Sequence, residues 1–154
     1  MTKLESGTAA KSSGSAREFP RKESDVERYK THGDFSWCEL MSRNVQGSKK
    51  FYAELLGWQL EDMPMKDGRA YTVVKAGGRS VGGIMPMPPD APKEVPPYWG
   101  SYVTVDDVDA VAKKVPQLGG KIIVPPMDIP DVGRFCTFMD SEGAVLSVIR
   151  YEQR

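Results

Sequence analysis

From residue 34 onward the chain spells out one order of elements twice, so its fold must seat two similar units in tandem. Asn44-Val45 maps on Asp107-Val108, Leu55 on Leu118 and Gly57 on Gly120, each at a spacing of 63. In the first unit Phe35 to Met41 alternates apolar and polar residues, as a half-buried strand does. Asn44 then caps a helix whose apolar positions Val45, Phe51, Tyr52, Leu55 and Leu56 follow helical spacing, and Gly57 stops it. Three strands follow, Trp58 to Met63, Ala70 to Ala76 and Arg79 to Met85, parted by turn signals at Lys66-Asp67-Gly68 and Gly77-Gly78. The second unit repeats this as strand Trp99 to Val105, cap Asp107, helix Val108 to Leu118, and strands Lys121 to Met127, Gly133 to Met139 and Ala144 to Arg150. Pro116 makes the last turn of the second helix irregular.

Between the units, Pro86 to Pro97 holds six prolines in twelve residues and can form neither a helix nor a central strand. The expected organisation is an N-terminal arm over 1–33, a first βαβββ unit over 34–88, a proline-rich linker over 89–97 and a second unit over 98–154. The arm is polar and aperiodic, and it reads as disordered.

Charge excludes several partners. Lys plus Arg and Asp plus Glu each number 21, so nothing in the balance favours a nucleic acid or an anionic membrane. No apolar run approaches the ~20 residues that cross a bilayer, and the first ten residues lack an apolar leader core, so a cytoplasmic protein is expected. One histidine and two cysteines leave no CxxC pair and no HExxH motif. Cys38 and Cys136 read as small buried apolar residues, not as a disulfide or a nucleophile.

Each unit places one helix on a four-stranded sheet, and a helix covers only one face, so the other faces are free to line a concave space. Alternation turns Cys38 and Leu40 toward the first helix and Trp37, Glu39 and Met41 into the concave face. In the second unit Ser101, Val103 and Val105 take the helix side, and Gly100, Tyr102 and Thr104 the concave side.

The runs Trp37-Cys-Glu-Leu, Phe51-Tyr-Ala-Glu-Leu-Leu-Gly-Trp58, Tyr102-Val-Thr-Val-Asp-Asp-Val-Asp109, Gly133-Arg-Phe135 and Asp140-Ser-Glu-Gly-Ala144 resemble the vicinal oxygen chelate superfamily. That superfamily includes glyoxalase I, the bleomycin-resistance proteins and the extradiol dioxygenases. The resemblance covers Asp34 to Tyr151 and implies an α+β fold of two tandem βαβββ units with curved sheets around a cavity. It also implies a divalent metal held by His, Gln or Glu from both units. Carried over residue by residue, the ligand positions fall on Trp37, Gly83, Gly100 and Ser147, none of which is a good ligand. No protein-held metal and no other cofactor is therefore expected, a divalent metal in an atypical site being the alternative.

Glu39 is the single catalytic candidate. It either lies solvated or paired with Arg43 or Arg134, or it is a desolvated carboxylate among Trp37, Tyr71, Trp99 and Tyr102, fit to act as a general base or a hydrogen-bond acceptor. The expected ligand-binding set is Trp37, Glu39, Tyr71, Gly83, Trp99, Gly100, Tyr102, Phe135 and Ser147. Aromatic walls with polar rims suit a planar small molecule. The expectation is a small-molecule-binding homodimer, with a glyoxalase-like lyase or isomerase or a dioxygenase as the alternative.

Overall fold

The computed structural model describes residues 26–152, so residues 1–25 of the arm expected over 1–33 lie outside the described residues. The first unit consists of β1 (Phe35–Ser42), α1 (Val45–Leu56), β2 (Gln59–Pro64), β3 (Ala70–Ala76) and β4 (Arg79–Pro86). The second consists of β5 (Tyr98–Thr104), α2 (Val108–Gln117), β6 (Lys121–Ile129), β7 (Gly133–Met139) and β8 (Val145–Tyr151). The helix starts are set by local chemistry. Asn44 accepts from the Gly47 amide at 2.9 Å, and Asp107 accepts from the Ala110 amide at the same distance. Gly57 ends α1 in the left-handed region at φ 66°. At Pro116 the last turn of α2 is irregular as expected, with the Leu118 amide shared between the carbonyls of Lys114 and Val115.

All eight strands form one sheet in the order β2-β3-β4-β1-β5-β8-β7-β6. The units meet at an antiparallel pairing of β1 with β5, in which Cys38 stands opposite Ser101. Those two residues are 63 apart, the repeat spacing, so a pseudo-two-fold axis passes between them.

Both helices pack on the same side of the sheet. Under α1 lie Leu40, Val74 and Ile84, with Val45 and Tyr52 against them. Under α2 lie Val105, Val108, Cys136 and Val148. Each fully buried aliphatic side chain contributes about 1.5–3 kcal/mol, so the two clusters anchor each helix separately. Phe51, Leu55 and Leu56, counted with the apolar stripe of α1, instead stand exposed on its flank.

Cys38 corrects the expectation of a buried thiol. It takes the helix side but is exposed, because it sits on the pseudo-axis midway between two helices and neither reaches it.

Residues 26–33, assigned to the arm from composition, are packed on the sheet. Glu27–Tyr29 form a 3-10 turn. Thr104 Oγ1 donates to the Arg28 carbonyl at 2.6 Å, the Gly33 amide donates to the Thr104 carbonyl at 2.8 Å, and Tyr29 meets Tyr151 edge-on at 5.0 Å. Hydrogen bonds to distant backbone and side-chain groups, one of them from the Arg28 guanidinium to the Ser80 carbonyl, and one aromatic contact hold this segment, and polar composition hides both.

Candidate functional site

The face of the sheet away from the helices brings most of the expected ligand-binding residues together around Glu39. Glu39 pairs with Gly83 of β4 on one side and Gly100 of β5 on the other, so its carboxylate rises between two residues that have no side chain. From β3, Tyr71 donates its hydroxyl to Glu39 Oε2 at 2.7 Å. From β5, Tyr102 donates to Oε1 at 3.1 Å. Trp37, two residues before Glu39 and hence on the same face, donates its indole N–H to the Tyr71 hydroxyl at 2.8 Å.

Gly83 makes this possible. A Cβ there would fall 1.9 Å from the Tyr71 hydroxyl oxygen, so the phenol reaches Glu39 only across a glycine. Gly100 differs, since a Cβ there would make only ordinary contacts, with the Tyr98 ring at 3.7 Å and the Glu39 carbonyl oxygen at 3.8 Å, and a side chain could be accommodated. Phe135 lies beside Tyr102 with ring centroids 6.3 Å apart. Ser147, buried opposite Tyr102, shares a 2.7 Å hydrogen bond with Thr137.

Burial pushes the Glu39 carboxyl above its ordinary range, and the bonds from Tyr71 and Tyr102 pull it partly back. Burial and the negative charge of Glu39 push the Tyr71 and Tyr102 phenols well above theirs, so both remain donors at any physiological pH. No ion pair reaches Glu39 among the described residues. Arg43 donates instead to the carbonyls of Pro92 and Val95, and Arg134 is held by Asp109 and Asp128. The desolvated reading of Glu39 is the one the geometry supports.

Trp99 is a correction. Its neighbours Tyr98 and Gly100 have the concave parity, so its own side chain must point the other way. There it meets Trp58 and Tyr52, and its indole N–H donates to the Tyr52 hydroxyl at 3.0 Å. Two hollows open on that helix side. One, of about 440 Å³, lies between Phe51, Tyr52 and Trp99, and one, of about 310 Å³, between Cys38, Trp58 and Trp99. Glu39 lines neither. Two tyrosines close to Glu39 were missed. Burial and the Glu39 charge raise the Tyr98 phenol, and burial pushes Tyr151 up to about 12, with Glu39 a smaller contributor. The two-residue alternation from Gly100 and from Ser147 carried the signal for both.

The donor chemistry at the four implied metal positions does not fit a divalent ion. Gly83 and Gly100 present no side chain, the Trp37 indole is a donor only, and the Ser147 hydroxyl is engaged with Thr137. Among the described residues no three His, Cys, Asp or Glu side chains come together.

Comparison with known proteins bears on this geometry. A family model described as the Glyoxalase/Bleomycin resistance protein/Dioxygenase superfamily matches residues 34–148. A "Putative glyoxylase CFP32" of Mycobacterium tuberculosis is 40% identical over 117 residues, which is 75% of this chain and 45% of that protein. "Anthracycline biosynthesis protein DnrV" of Streptomyces peucetius is 31% identical over 126 residues, 75% of this chain and 46% of that one. The chain thus spans about half the length of these curated relatives. Methylmalonyl-CoA epimerase from Mycobacterium tuberculosis superposes with a TM-score of 0.56 at 12% identity, over 77% of this chain and 90% of that one. The Mn(II)-bound glyoxalase from Novosphingobium aromaticivorans gives 0.50 at 20% identity, over 75% of this chain and 38% of that one. At such identities the structures share a fold and nothing finer.

Proposed function

Since the chain belongs to the glyoxalase/bleomycin resistance protein/dioxygenase superfamily, we propose that it keeps that frame as a binding protein and buries a planar or aromatic small molecule on the concave face, without a protein-held metal. The observation that carries this reading is the Glu39 cluster. A carboxylate, two phenols and an indole converge where the superfamily seats ligands, and the donor set for a divalent ion is missing there. Aromatic rings supply stacking area and Glu39 a polar anchor, the combination usual in small-molecule sites. The exposed flank of α1 at Phe51, Leu55 and Leu56 supports the homodimer.

The test is an amide-resolved NMR screen of planar aromatic fragments. Shifts should centre on the Trp37 indole N–H and the Gly100 amide, and Trp37→Ala should weaken binding by about 1–3 kcal/mol with the fold intact. Fragments that gather at Trp58 and Trp99 would move the site to the helix side, and stoichiometric manganese, zinc or nickel in protein purified without chelator would end the metal-free reading. One observation favours a second reading, an isomerase or lyase with Glu39 as base: the mycobacterial relative is named a putative glyoxylase. Glu39-dependent uptake of solvent deuterium by a bound ketone fragment would carry it.

A further inference from the structure

We propose that the ligand of the concave face is an organic cation, a planar aromatic body bearing a protonated amine, with the ammonium seated at Glu39 and the rings over Gly100. The proposal rests on the reading of this face as a small-molecule site and goes on to specify the ligand's charge and orientation.

The argument is a count of donors and acceptors. The three strong donors that converge here are already spent, the Trp37 indole on Tyr71 and the Tyr71 and Tyr102 hydroxyls on the two oxygens of Glu39. What remains turned to a ligand is acceptor capacity, in the further lone pairs of the carboxylate and of both phenolic oxygens. The Tyr151 and Ser36 hydroxyls bond to each other, Ser36 also reaching the Tyr102 carbonyl, and two further neutral hydroxyl sources remain. Tyr98 stands at the rim, and the Thr137–Ser147 pair bonds internally and leaves one O–H over. At Glu39 a carboxylate or phosphate on the ligand would therefore meet lone pairs and a negative charge, because the one buried cationic N–H left unspent among the described residues, Nε of Arg28, is held with its guanidinium against Tyr29 and Ser80 and not at Glu39.

Charge points the same way. Glu39 is desolvated, no cationic partner reaches it, and a cation arriving with a ligand would offset that cost.

The duplication supplies the orientation. Across the pseudo-axis Trp37 corresponds to Gly100 and Glu39 to Tyr102, both at a spacing of 63. Glu39 faces Gly83, which in turn faces Val73, and Tyr102 faces Ser147, which faces Thr137, so Tyr71 of the first unit corresponds to Phe135 of the second. The first unit thus carries indole, carboxylate and phenol, where the second carries a bare glycine, one phenol and a benzyl ring. A ligand with a donor at one end and an apolar body at the other matches this division.

The probes are three anthracenes that differ at one position: 9-(aminomethyl)anthracene as the ammonium, 9-anthracenemethanol as the neutral alcohol and 9-anthracenecarboxylate as the anion. Binding to the full chain is followed at pH 8 by Trp37 indole shifts and by calorimetry. The ammonium should bind at least tenfold more tightly than the alcohol, and the carboxylate more weakly than either. Glu39→Gln should reduce the ammonium preference over the alcohol to less than twofold. Tyr102→Phe, which keeps the charge and frees one carboxylate lone pair, should keep or widen the preference, and it guards against a Gln variant that does not fold. Alcohol or carboxylate binding as tight as the ammonium, or a preference that survives Glu39→Gln, would overturn the proposal and leave the small-molecule site standing. Failure of all three to shift Trp37 would overturn both.

Discussion

Gly83→Ala is the sharpest perturbation of the site, because it adds one methyl group and touches one side chain. The new Cβ would lie 1.9 Å from the Tyr71 hydroxyl oxygen and 2.2 Å from the ring carbon that bears it, so the phenol must leave its place over β4. The cost is set by the bonds it abandons. These are a bond to a carboxylate, worth about 1.5–3 kcal/mol, and one from the Trp37 indole, worth about 0.5–1.5 kcal/mol. Alanine loses less chain entropy in a strand than glycine and returns about 0.5–1 kcal/mol. The net loss is about 1–4 kcal/mol, read from urea unfolding by linear extrapolation, with a shift in Trp37 fluorescence as the indole loses its acceptor. A double-mutant cycle with Tyr71→Ala isolates the cause, since without the phenol the same methyl group should be neutral or mildly stabilising. An unchanged midpoint in Gly83→Ala, or additive effects in the cycle, would refute the idea that Tyr71 depends on a bare β4 to reach Glu39.

Glu39→Gln should change the pH dependence of stability. A carboxyl raised in the folded state contributes stability that is present below its ordinary range and lost as pH climbs through the raised value, so the parent should lose ground to the variant in urea unfolding as pH climbs above the ordinary carboxylate range. The phenols that bond to Glu39, Tyr71 on β3 and Tyr102 on β5, and those that feel its charge, Tyr98 on β5 and Tyr151 on β8, are all raised and stay neutral there, and a pH-independent difference would count against the desolvated carboxylate. Trp99→Ala should cost about 1–3 kcal/mol through lost packing on Tyr52 and Trp58, yet leave binding of 9-(aminomethyl)anthracene within twofold, whereas Trp37→Ala should weaken that binding. Cys38 should react with a thiol reagent in the native protein and Cys136 only on unfolding, and equal labelling rates would contradict the seam between the helices.

The duplicated element order was legible because local chemistry writes it. Caps at Asn44 and Asp107, the stop at Gly57 and two-residue alternation all act within a few residues of themselves. Alternation also turned Glu39, Trp37 and Tyr102 to one face, and there the fold and much of the candidate site coincide with the reading. Trp99 failed when aromatic character was allowed to outweigh the parity of its own strand. Cys38 failed for a different reason, since its exposure depends on where two helices stop short of each other, a distance no residue pattern records. The 3-10 turn at Glu27–Tyr29 was illegible because its partners lie far along the chain, at Ser80, Thr104 and Tyr151. The bond from Tyr71 to Glu39 depends on a glycine two strands from the base of the carboxylate's other partner, and only the assembled sheet shows why that glycine is there.

That 3-10 turn sets an order of events on a growing polypeptide. Arg28 bonds to Ser80 in the first unit, Thr104 in the second reaches back to the Arg28 carbonyl, and Tyr29 waits for Tyr151 at the far end of β8. Tyr29 leaves the ribosome long before Tyr151 does, and closing so long a loop carries an entropy cost that short-range contacts do not bear. The first unit can assemble on its own local contacts while the second is still being made. The turn gains its last partner only when β8 has joined the sheet, so its complete docking reports that both units are in place.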